Sequence, residues 1–166
     1  CAPHVGWYMI TGNWEVRHFE VAMSSLYPPL PANAPLGIIY PSSPATEERV
    51  RSGLSLIGNW GYSPRLFQPA GSPTEFLAAE DAYRGAAVQQ ALDDESLPLI
   101  WAARGGYGVA RLLPILDFSS RQVPPVLVGF SDISLLLAHS AQHYGWPGVH
   151  GPNVTTLANL DDASLG

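Results

Sequence analysis

The sequence predicts an α/β domain, a parallel sheet flanked by helices in three layers. Three observations predict it. Short continuous apolar runs recur at LGIIY (36–40), LPLIWAA (97–103) and PVLVGF (125–130), consistent with buried strands. Stretches of helical periodicity separate them, so strand follows strand by right-handed crossovers. Each run also leads into a turn rich in Gly, Ser or Pro: YPSSP (40–44), RGGYG (104–108) and GFSD (129–132).

Residues 1–35 differ from the rest. VGWYMITGNWEVRHF places apolar and aromatic residues on both sides of Gly12-Asn13, a pair suited to a two-residue hairpin loop. The prolines of YPPLPANAP (27–35) can continue neither a helix nor a central strand. The expectation is an N-terminal hairpin extension and proline-rich linker over 1–35, followed by the domain proper over 36–166.

After the strand at 36–40, Val50, Leu54 and Ile57 recur at helical spacing, with Thr46 as a candidate cap and Gly61 at the far end. SPRLF (63–67) reads as a second strand and QPAGSPTE (68–75) as a loop. A helix over 77–93 leads to the third strand at 97–103. In VARLLPIL (109–116), Val109, Leu112, Leu113 and Leu116 share a face, and Pro114 shortens or kinks the helix. The fourth strand, 125–130, precedes a helix over 132–143, and GVH (148–150) begins a fifth strand. The whole is flavodoxin- or Rossmann-like.

Composition bounds the function. A chain of 166 residues suits one domain, since domains typically run to roughly 100–200 residues. Apolar residues make up 46% and charged residues 13%, which describes a globular chain. No apolar run approaches the ~18 residues that would cross a bilayer. The basic residues are all arginine, 8 against 14 acidic, and the net charge is -6. A nucleic-acid surface would need a positive stripe, which is absent. The single cysteine, Cys1, leaves no disulfide framework or thiolate metal site within one chain. A lipidated N-terminal cysteine is the alternative; with no signal segment and no initiator Met, an arbitrary chain boundary is the preferred reading.

In open α/β sheets the ligand site lies beyond the carboxyl ends of the strands, and the three turns named above all fall there. Ser131, between strand and helix, suits a nucleophile whose following backbone N–H stabilises an oxyanion. A hydrolase elbow wants small residues two before and two after the serine. Gly129 satisfies the first condition and Ile133 fails the second. The alternative is that Ser131 or Asp132 simply caps the helix, and on this stretch alone the cap is the better reading. Asp132 is not a suitable base for Ser131, because adjacent side chains diverge; a histidine from elsewhere is needed.

RGGYG fails the GxGxxG pattern, since Arg111 stands three after Gly108. Its glycines suit an oxyanion hole or a tight turn instead. His139 and His143 are four apart, but Ser140 replaces the glutamate of a zinc motif and no third ligand is placed. They read as a polar helix face. His150 follows a strand and suits either an approach to the site or a buried hydrogen-bonding role equally. The sequon at Asn153 is a short pattern with a high chance rate and carries no weight.

Taken together, GIIYPSSP, AAEDAYRGAAVQQALDDES, RGGYGVARLLPILDF, VGFSDISLLLAH and HGP, in that order, resemble the LD-carboxypeptidase family. These are the S66 serine peptidases, which include the microcin-immunity peptidases. The resemblance runs from Leu36 to about Ala158. It implies that Ser131 is the nucleophile and that the backbone N–H of Asp132 helps form the oxyanion hole, with Gly105 or Gly106 as its companion. It implies release of terminal D-alanine from muropeptide tetrapeptides in bacterial cytoplasmic cell-wall recycling, with no cofactor or metal.

The family's triad runs Ser, Glu, His, and its Glu and His lie in a C-terminal domain. The chain therefore reads as the nucleophile domain alone, a fragment or a truncated homologue, inactive by itself. Its expected partners are a muropeptide and that C-terminal domain, with a homodimer left open and neither nucleic acid nor membrane. A non-catalytic binding module of the same fold and a microcin-immunity-type amide hydrolase are the alternatives.

Overall fold

The structure is a computed structural model that describes residues 4–10, 16–22, 29–157 and 159. The chain divides into two compact units, Cys1–Leu30 and Pro31–Gly166. In the first, β1 (His4–Ile10) and β2 (Val16–Ala22) pair antiparallel, with His4 opposite Ala22 and Ile10 opposite Val16. The Gly12-Asn13 turn expected between them lies outside the described residues.

The second unit follows the predicted alternation. Its elements are β3 (Pro35–Ile39), α1 (Glu47–Asn59), β4 (Ser63–Phe67), α2 (Asp81–Asp93), β5 (Leu99–Ala102), α3 (Val109–Leu112), β6 (Val126–Gly129), α4 (Ile133–Tyr144), β7 (Gly148–His150) and α5 (Val154–Leu157). The five strands form one sheet in the order β4-β3-β5-β6-β7, and every neighbouring pair is parallel. The chain steps one way from β3 to β4 and the other way from β4 to β5. Right-handed crossovers therefore put α1 on one face and α2 to α4 on the other. Between β3 and β5 the connections diverge, leaving a crevice at the carboxyl ends of those strands.

The register of β3 shows both faces buried. Ile39 joins Val88, Leu92, Ile100, Leu112, Leu127, Ile133 and Leu136 in one core cluster under α2 to α4. Leu36 and Ile38, pointing the other way, are equally buried. On that side Gly53 of α1 meets α5 so closely that a Cβ would stand 2.2 Å from the Val154 carbonyl oxygen.

Two local expectations change and a third holds. Thr46 precedes α1 but makes no side-chain cap bond; its carbonyl accepts from Val50 N–H at 3.1 Å. The helix expected from 77 starts at Asp81, because Ala78 N–H donates to Ser42 O at 2.9 Å and so ties that segment to the loop after β3. Pro114 ends α3 at Leu112, and a 3-10 turn follows over Leu113–Ile115, as expected where proline supplies no N–H.

Pro31–Ala34 belongs to this fold. Asn33 N–H donates to Gly61 O at 2.9 Å, Ser63 N–H donates to Ala34 O at 3.0 Å, and Ala34 is buried. Of two shortened chains, one starting at Leu30 and one at Leu36, the second should melt lower. Losing about 2 kcal/mol of such bonds and burial corresponds to about 4–8 °C for a domain of this size. Equal melting temperatures would show that these contacts contribute nothing.

Candidate active site

Ser131 is exposed at the carboxyl edge of the sheet, between β6 and α4, with φ +66°. A non-glycine residue in that region is strained and persists only where its surroundings over-determine it. The surroundings are visible. Gly129, two residues earlier, has no room for a side chain: a Cβ would stand 2.6 Å from Ile133 Cγ2 and 2.9 Å from Asn153 Oδ1. The bulk of Ile133, which departs from the generic elbow pattern, is thus accommodated by the absence of a side chain at Gly129. Buried Asn153 also accepts Phe130 N–H at 3.2 Å, holding the residue that precedes the serine.

Neither Ser131 nor Asp132 caps α4 with its side chain, so the cap reading is corrected. The Asp132 carboxylate turns away from its own helix. Its Oδ2 accepts Ser42 Oγ–H at 2.7 Å and Val109 N–H at 2.9 Å. One oxygen therefore joins the loop after β3, the start of α3 after β5, and the start of α4 after β6. The Ser131 carbonyl opens the helix by accepting Ser134 N–H at 2.9 Å.

The glycine turn after β5 packs directly on the elbow. A Cβ on Gly105 would stand 3.0 Å from both Ser131 Cβ and Phe130 O. Gly106 has φ +120°, and a Cβ there would stand 2.2 Å from Ser43 Oγ. Ser43 clasps this turn from the other side. Its N–H donates to Gly105 O at 3.4 Å, and its Oγ accepts Tyr107 N–H at 3.2 Å. Among the described residues, the N–H groups of Gly105, Gly106 and Asp132 have no acceptor. Arrayed beside an exposed hydroxyl, unpaired N–H groups suit a developing oxyanion.

Arg84, fully buried on α2, braces the same edge. It donates to the carbonyls of Pro41, Ala79 and Gly108 and pairs with Asp81. Burial works to raise the Asp81 pKa, but hydrogen bonds from Arg111 and Arg84 outweigh it and hold the carboxyl below its ordinary range.

Sequence reasoning singled out Ser131, Asp132, Gly105 and Gly106, and the structure brings all four together. It missed Ser42, Ser43, Arg84 and Asn153. A signal existed for Arg84, which lies on the stripe of Ala87, Val88 and Ala91. None existed for Asn153, whose role depends on the turn after β7. The histidines are dispersed. The His139 and His143 rings lie 4.7 Å apart, tilted at 49°, near Phe118 and Tyr144, roughly 12 and 18 Å along the axis from Ser131 by helical rise. His150 pairs in register with Gly129, its ring edge-on to Phe130 at 6.5 Å. Among the described residues no carboxylate bonds to it, and no group of three metal-ligating side chains occurs. A cavity of about 520 Å³ lies elsewhere on this edge, lined by Tyr40, Val50, Arg51, Leu54, Leu66 and Gln68 among others.

A serine held at positive φ between a buried strand and a helix, beside unpaired backbone N–H groups, is the arrangement of nucleophile-elbow hydrolases. Comparison with known proteins gives the family. Residues 36–151 match the model of the LD-carboxypeptidase N-terminal domain, Peptidase_S66. The murein tetrapeptide carboxypeptidase of Pseudomonas aeruginosa is 33% identical over 129 residues, covering 76% of this chain and 42% of that protein. The muramoyltetrapeptide carboxypeptidase from Oxalobacter formigenes has a similar structure, with TM-score 0.67, 24% identity, and coverage of 79% of this chain and 45% of that one. The microcin C7 self-immunity protein MccF shares the fold at TM-score 0.72 and 22% identity, over 81% of this chain and 41% of its own. This chain belongs to the LD-carboxypeptidase family. It spans less than half the length of the curated relatives it matches.

Two comparisons test the geometry. Asp132→Ala strands the Ser42 hydroxyl and Val109 N–H, and should cost about 2–4 kcal/mol at roughly 1–2 per orphaned group. Ser131→Gly should melt above Ser131→Ala by about 1 kcal/mol, because only the alanine keeps a Cβ at positive φ. Equal stability of those two would argue against the strain.

A third test uses pH. With its folded pKa depressed, Asp81 stabilises the fold above the ordinary carboxylate range and loses that contribution as pH falls through the folded value. The stability gap between wild type and Asp81→Asn should therefore be widest near neutrality and close in acid. A gap independent of pH would show that the carboxylate's charge is not what matters.

Proposed function

We propose that this chain is the nucleophile domain of a serine LD-carboxypeptidase, which releases terminal D-alanine from muropeptide tetrapeptides. The observation that carries the reading is the strained, exposed Ser131 set against the unpaired N–H groups of Asp132, Gly105 and Gly106. The Pseudomonas aeruginosa relative, a murein tetrapeptide carboxypeptidase, supports this substrate class.

In this reading the Ser131 oxygen attacks the carbonyl carbon that precedes D-alanine, and its proton passes to a base. Negative charge develops on the carbonyl oxygen beside the backbone N–H groups. The C–N bond then breaks, D-alanine leaves with the proton on its amine, and water hydrolyses the acyl-serine. A serine hydroxyl is barely nucleophilic at neutral pH without an oriented base. The α4 histidines are too far along their helix to serve; the family resemblance implies that the base and its carboxylate come from a C-terminal domain.

In a protein carrying both domains, Ser131→Ala should cut D-alanine release from an LD-tetrapeptide by at least about 10⁴-fold, with no loss of melting temperature. Wild-type rates in that variant would reject the assignment. The 166-residue chain alone should show no more than the roughly 10³–10⁴-fold enhancement that survives loss of a triad. Robust release by the chain alone, abolished by His150→Ala, would make His150 the base.

A further inference from the structure

Arg104 stands in the site edge without an assigned role. It immediately precedes Gly105, whose Cβ position lies 3.0 Å from Ser131 Cβ. With consecutive Cα atoms 3.8 Å apart, the Arg104 Cα is no more than about 8 Å from the serine side chain, a distance an arginine side chain spans. Its guanidinium makes one bond, from a terminal nitrogen to the Pro44 carbonyl on the Ser43 side of the glycine turn. Among the described residues it has no carboxylate partner. The other arginines near this edge are committed: Arg84 and Arg111 to Asp81, and Arg51 to Glu47.

An exposed guanidinium with free donors is matched chemically by a carboxylate, which it can bind through two parallel hydrogen bonds. The setting sharpens that match. The chain carries a net charge of -6, and the Asp132 carboxylate lies one residue from the nucleophile, so an anionic peptide end needs a local cation. In a peptide cleaved before its last residue, the free carboxylate lies only two bonds beyond the scissile nitrogen. That places it within reach of the Arg104 side chain once the guanidinium leaves the Pro44 carbonyl and turns across the glycine turn toward Ser131.

We propose that Arg104 binds the terminal carboxylate of the peptide, and so restricts the Ser131 site to removal of a single C-terminal residue. The inference rests on the serine-carboxypeptidase reading and adds its specificity determinant. Arg104 selects the substrate's end; it takes no part in proton transfer.

The test compares an LD-tetrapeptide bearing a free terminal carboxylate with its C-terminal carboxamide, in a protein carrying both domains. Wild type should prefer the free acid. Arg104→Met should lower kcat/KM for the acid by about 30–100-fold, the loss expected for charge-assisted bonds, and leave the carboxamide within twofold. The acid preference therefore collapses, and Arg104→Lys should restore part of it. An equal fall for both substrates, or a preserved acid preference, overturns the assignment. If Arg104→Met keeps the preference while Ser131→Ala is dead, Arg104 alone is wrong. If wild type cleaves neither peptide, the carboxypeptidase reading falls and Arg104 falls with it.

Discussion

The Asp132 carboxylate sits where three separately built pieces of chain have to meet. The sheet ladder aligns β3, β5 and β6, but nothing in the ladder dictates how the loops beyond their ends are folded. A single oxygen receiving the Ser42 hydroxyl and the Val109 N–H couples those loops to the start of α4. Both donors are in buried residues, and an anionic acceptor makes stronger bonds than a neutral one. The strained φ of Ser131, immediately before Asp132, depends on this anchor, because an unfavourable backbone region survives only under such constraint.

Around that anchor, the edge is braced on either side. Arg84 gathers carbonyls from the loops after β3 and β5. Asn153 holds Phe130 from the turn after β7. Ser43 clasps the glycine turn from outside. Against these contacts, the N–H groups of Asp132, Gly105 and Gly106 have no acceptor among the described residues. In the proposed reaction, donors held by such bracing would need little reorganisation as charge develops.

The elbow also shows why a residue-by-residue pattern was too strict. Small residues on both sides of a nucleophile are one solution to a crowded turn. Here all the room is made at Gly129, and Ile133 fills it while contributing to the core under α4. The steric condition concerns the pair, so it can be met by one residue.

By itself the sequence determined the five-stranded α/β plan, the proline break at 114 and the three site-bearing turns, because these follow from local periodicity and from residues with restricted backbones. It also carried the family resemblance, which the order of several modest motifs made specific. Tertiary structure alone decided that the Asp132 side chain turns from its own helix to Ser42, ninety residues away in sequence. It likewise decided that Asn153 braces the elbow, that helix α2 waits until Asp81, and that Ser131 takes a positive φ. Each of these is a contest between a local preference and a partner brought in from a distant strand end, and local sequence encodes only the preference.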